Sequence, residues 1–83
     1  MKNYAVIFTY SFDNDVAVYL FETYEKAKKF LKESFLEEVR IDIEENGWNT
    51  EYSICNDGDY AIITNHFNDH SDTTEFRIGS IYR

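Results

Sequence analysis

Eighty-three residues with a formal net charge of -8 suffice for one domain with a modest core, and that charge excludes a surface built to grip nucleic acid or an anionic membrane. The apolar fraction of 43%, with seven Phe, seven Tyr and one Trp, excludes a disordered chain. A lone cysteine, Cys55, excludes a disulfide frame and a Cys-rich metal site.

Residues 3 to 12, NYAVIFTYSF, place Tyr4, Val6, Phe8, Tyr10 and Phe12 on one face and Ala5, Ile7, Thr9 and Ser11 on the other, the alternation of a strand. Asp13-Asn14-Asp15 is a turn cluster, because Asn and Asp tolerate left-handed dihedrals and bond their own backbone. Residues 16 to 22, VAVYLFE, form a second strand and close a hairpin. Thr23 is the expected N-cap of a helix, and from Tyr24 the apolar period lengthens to about 3.6. Tyr24, Ala27, Leu31, Phe35, Leu36, Val39 and Ile43 share half of the helical circumference and are expected on the sheet. Asn46-Gly47 supplies a left-handed stop. The stretch VRIDI, Val39 to Ile43, also alternates like a strand, so a helix ending near Glu38 followed by a strand is the competing reading.

Three further strands follow Trp48, over residues 50 to 56, 59 to 66 and 73 to 82. Asp57-Gly58 is a hairpin signal, and HFNDHSD, His66 to Asp72, reads as a polar loop. The order β-β-α-β-β-β over residues 1 to 83 predicts a single α+β domain, an antiparallel sheet of about five strands with one long helix packed on one face. The start, MKNYAVIFTY, lacks the apolar core and cleavage site of a signal peptide, and no apolar run approaches membrane-spanning length. The expectation is a soluble protein of the cytoplasm.

The charge is unevenly distributed. Residues 1 to 32 hold four acids and five bases, whereas residues 33 to 75 hold twelve acids and one base. The second half of the helix, ESFLEEVRIDIEENGWN, sets six carboxylates against Arg40, at the end of the helix where the macrodipole is itself negative. If the strands alternate in direction, the helix C-terminus, the first turn and the 66 to 72 loop share one end of the molecule, and the acids form a pole rather than a coat. Glu33, Glu37, Glu38, Asp42, Glu44 and Glu45, with Asp69 and Asp72 from the loop, are the expected partner-binding carboxylates. Phe30 and Ile41 fall on one flank of the helix, off its packed face, and are the expected apolar anchors beside them.

Catalytic patterns are weak. His66 and His70 stand four apart with Asp69 and Asp72 nearby, but without the glutamate of a zinc-binding helix or a clear third ligand. Cys55 sits mid-strand in acidic surroundings that disfavour a thiolate. The Asp-rich turns lack calcium-loop spacing, and there is no glycine-rich phosphate loop. The expectation is a non-enzymatic protein with no cofactor and no metal.

The hairpin followed by FETYEKAKKFLKESFLEEVR and aromatic strands resembles small acidic proteins from phages and mobile elements of low-GC Gram-positive bacteria, among them anti-CRISPR proteins. The segment NGWNTEY, Asn46 to Tyr52, is similar to a short stretch of a type II-A anti-CRISPR, from which the element order otherwise differs; no residue role is carried over. The resemblance implies an inhibitor that mimics nucleic-acid charge and occupies the basic surface of a nucleic-acid-binding protein such as a Cas effector. The alternative is a structural or regulatory module that binds a host protein or self-associates as a homodimer.

Overall fold

Phe8 and Phe76 meet edge to face, their ring centroids 4.7 Å apart, at the centre of a five-stranded sheet. The computed structural model describes residues 2–11 and 14–80. In chain order these form β1 (Tyr4–Tyr10), β2 (Asp15–Phe21), α1 (Tyr24–Asn46), a short 3-10 turn (Gly47–Asn49), β3 (Thr50–Ile54), β4 (Tyr60–His66) and β5 (Ser71–Ser80). Every pairing is antiparallel, and the spatial order is β2-β1-β5-β4-β3. The last strand therefore inserts between β1 and β4, and the sheet's two edges are β2 and β3. The α+β architecture is the one the periodicities predict.

Register decides which side chains meet the helix. Phe8 pairs with Ala17 on one side and Phe76 on the other, and Phe76 pairs in turn with Ala61. Alternation then sends Val6, Phe8, Ala61, Ile63 and Phe76 to one face, where Ala27, Leu31, Phe35 and Val39 of α1 complete the core. Leu31 and Ile63 are fully buried, each worth about 1.5 to 3 kcal/mol of burial. The sheet's other face carries no helix among the described residues.

Local chemistry explains the element ends. Thr23 holds extended dihedrals and its Oγ1 accepts from Lys26 N–H at 3.2 Å, as an N-cap should. Gly47, with φ of 62°, stops the helix and its N–H donates to Ile43 O. Asn14 takes a positive φ of 56° in the first turn. The second hairpin is longer than a two-residue turn. Cys55 N–H donates to Tyr60 O, Gly58 N–H donates to Cys55 O, and Gly58 takes the left-handed conformation at φ 76°.

Residues 39 to 43 continue the helix, as the leading reading has it and the competing strand does not, because Val39 extends the buried series of Ala27, Leu31 and Phe35 at intervals of four. Three other expectations shift. Ile43, expected on the sheet, is 40% exposed. Leu36 is exposed as well, because a single helix packed on one sheet face buries only a narrow stripe and Leu36 overhangs it. The last strand begins at Ser71, so His66 ends a strand and the loop between them shrinks to residues 67 to 70. Phe12, Asp13, Ile81 and Tyr82 lie outside the described residues. Among the described residues no helix is long and apolar enough to cross a membrane.

Candidate functional site

The helical repeat sorts the carboxylates of α1 onto two flanks. Ile41 and Asp42 stand three and four residues after Glu38, Glu45 stands four and three after them, and with Asn65, Asp72 and Thr74 they line a shallow groove of about 270 Å³. The groove lies where the end of α1 passes the end of β4 and the start of β5. The first turn joins the same end, since Ser11 N–H donates to Thr73 O at 2.9 Å and Thr73 N–H donates to Ser11 Oγ at 2.7 Å.

A polar chain fixes this corner. Asn65 Nδ2 donates to Asp42 Oδ2 at 3.0 Å, and Thr50 Oγ1 donates to Asn65 Oδ1 at 2.7 Å. Asp42 is thereby held at the groove by β3 and β4. Glu38 is half-buried, and burial first, then the fields of Asp42, Glu45 and Glu37, push its carboxyl above the usual glutamate range. Among the described residues no lysine or arginine lines the groove, and the last turn of α1 contains no basic residue. The dipole of α1 adds to the same negative field.

The other expected carboxylates stand elsewhere. Glu37 and Glu44 clasp Arg40, at 2.6 Å and 2.9 Å, on the exposed flank. That clasp lowers the pKa of Glu37 and raises that of Arg40, so the guanidinium stays charged and offsets one of its two carboxylate partners. Glu33 is exposed on the preceding stretch of the helix. Asp69 does not line the groove; it holds His70 Nδ1 at 2.6 Å, which lowers the Asp69 carboxyl and raises the imidazole. The His70 ring stacks on Phe67 with centroids 4.8 Å apart, and its Nε2 lies 3.7 Å from Asp72. His70 is thus a titratable cation beside the acidic corner.

Phe30 and Ile41 separate in role. Phe30 stacks on Phe8 at 5.8 Å and packs against Tyr19 and Phe21 at 4.9 Å and 5.0 Å, so its ring is engaged in covering β1 and β2. Ile41 is half-buried on the groove's rim. His66 faces away from α1, with Nε2 3.2 Å from Glu51 Oε2 and Nδ1 3.0 Å from Ser71 Oγ. Cys55 is exposed, and its Sγ donates to Asp59 Oδ1 at 3.0 Å, holding that carboxyl below its usual range. Among the described residues no group of three or more His, Cys, Asp or Glu gathers in a metal-ligating arrangement.

Asn65 and Thr50 are the site's structural residues that sequence reading passed over. The available signal was a polar Asn on the apolar face of β4, in line with Ala61 and Ile63, since a polar group there needs a partner. Comparison of the chain with protein-family profiles, with curated proteins and with solved structures finds no match.

Proposed function

We propose that the protein is a non-enzymatic acidic inhibitor that docks its groove end on the basic surface of a bacterial nucleic-acid-binding protein, with a CRISPR-Cas effector the leading target. The observation that carries this reading is the convergence of Glu38, Asp42 and Glu45 from α1 with Asp72 from β5 around one groove whose lining, among the described residues, holds no lysine or arginine. Lys and Arg side chains placed to receive phosphates accept carboxylates with the same charge-assisted bonds. Asp42, positioned by Asn65, meets such a partner with little ordering left to lose. Concentrated charge also steers encounter, an effect that weakens with salt over a Debye length of about 8 to 10 Å. The Glu37–Arg40–Glu44 clasp lies outside this contact, and its guanidinium offsets one of the two carboxylates.

The test is affinity capture from a lysate of a low-GC Gram-positive host, eluted with a salt gradient, using the native protein beside a Glu38→Gln, Asp42→Asn, Glu45→Gln, Asp72→Asn variant. A nucleic-acid enzyme released by moderate salt, displaced by its own DNA or RNA and lost with the variant is the expected result. Undiminished capture by the neutralised variant would overturn the reading.

A further inference from the structure

The edge of β2 stands apart from the acidic groove. Because Ser11 N–H bonds Thr73 O, the ladder between β1 and β5 turns the backbone groups of odd-numbered β1 residues toward β5 and those of even-numbered residues toward β2. Phe8 pairs with Ala17 and Val6 with Tyr19, so odd-numbered residues of β2 bond β1. The N–H and C=O groups of Val16, Val18 and Leu20 therefore point out of the sheet. The first of these, Val16 N–H, is taken by Asp15 Oδ1 at 3.0 Å. Those of Val18 and Leu20 face the space beyond the edge.

Natural sheet edges are protected by lysine, proline, bulges or short length. β2 is seven residues long and carries no charge between Asp15 and Glu22, whereas the opposite edge, β3, is five residues long and carries Glu51. Both faces of the β2 edge are apolar: Val18 is 55% and Leu20 47% exposed on the open face, and Tyr19 is 43% exposed on the helix side. An apolar surface with a row of outward amides and carbonyls is matched by another β-strand.

We propose that β2 pairs antiparallel with β2 of a second copy of this chain about a two-fold axis at Tyr19, extending the two sheets into one. In this register Val18 of each copy exchanges both backbone bonds with Leu20 of the other. The two Tyr19 residues face each other in the close, non-hydrogen-bonded position that favours aromatic pairs. The Asp15 contact to Val16 is left intact, whereas an axis at Val18 would require that same N–H. Charge selects the same arrangement. The two-fold turns the acidic ends in opposite directions, so each lies beside the Lys26 end of its neighbour's α1, where the helix dipole is positive. A parallel pairing would set the acidic ends side by side.

Sedimentation equilibrium from about 1 μM to about 1 mM, the range suited to an interface smaller than the standard size, tests the dimer. Amide exchange read residue by residue tests its location. The expected result is a concentration-dependent dimer in which Val18 and Leu20 amides slow at least about tenfold between the dilute and concentrated ends. Val18→Lys and, independently, Leu20→Lys should return the chain to monomer with an unchanged circular dichroism spectrum, since both side chains are exposed. A monomer throughout the range, a dimer whose Val18 and Leu20 amides exchange as fast as when dilute, or a dimer indifferent to both lysines would overturn the proposal.

Discussion

Asn65 Nδ2 lies 3.0 Å from Asp42 Oδ2, and this bond joins the end of α1 to the end of β4 across 23 residues of sequence. Asn65 is also the acceptor for Thr50, so both halves of its carboxamide are used.

Asn65→Asp keeps the shape and replaces the donor with a second carboxylate against Asp42. The loss expected at pH 7 is about 1 to 3 kcal/mol, the cost of a broken bond to a charged group. The new carboxyl has a folded pKa above its unfolded value, so its protonated form is favoured on folding. The deficit is therefore present at neutral pH and recedes as pH falls toward the carboxylate range. Urea denaturation at pH 7 and near pH 4 measures both, and an equal deficit at the two values would contradict the electrostatic account.

Glu38→Gln should stabilise the protein while weakening its proposed interaction. Burial and three neighbouring carboxylates raise the folded pKa of Glu38, so ionising it at pH 7 costs stability that is retained below the unfolded pKa. Partial solvent exposure reduces the effect to about 0.5 kcal/mol. Thermal unfolding should place the variant above the native chain at pH 7, with the gap closing near pH 3. A variant less stable at pH 7 would show that the carboxylate is a net structural contact.

Phe76→Ala removes the ring that touches both Phe8 and Phe35, at centroid distances of 4.7 Å and 5.9 Å. The residue is 2% exposed on the central strand, and truncation should cost about 3 to 5 kcal/mol. For a domain of this length that lowers the midpoint of thermal unfolding by more than about 12 °C. Calorimetry of the variant checks it.

Gly58→Ala tests the second hairpin. An added Cβ would meet only Lys28 Cδ at 3.8 Å, an ordinary contact, so the expected loss of about 1 kcal/mol comes from the left-handed backbone alone. Gly79→Ala is the control, because that glycine has no positive φ and its Cβ would sit 3.9 Å from Ile7 Cδ1. Paired denaturation curves should show a loss in the first variant and none in the second.

Much of this protein was legible before its fold. Alternation of Tyr4, Val6, Phe8 and Tyr10 assigned the core face of β1. Thr23 and Gly47 bounded the helix, because caps are local chemistry read over a few residues. The gathering of helix and loop acids at one end followed from alternating directions, and four of the expected carboxylates, Glu38, Asp42, Glu45 and Asp72, do line one groove. Which acids of α1 would join it was harder to read. Glu37 and Glu44 differ from Glu38 and Glu45 by one position each, and that step turns a side chain about 100° around the axis, onto the Arg40 flank.

The sequence by itself determined the elements, their caps and the excess of negative charge, since each depends on neighbours within a turn or a strand. Only the tertiary structure decided that β5 separates β1 from β4, that Phe30 is engaged by Phe8 and Tyr19, and that β2 is an edge. Those outcomes are pairings between residues far apart in the chain, chosen by how whole faces pack and which backbone groups remain to be bonded.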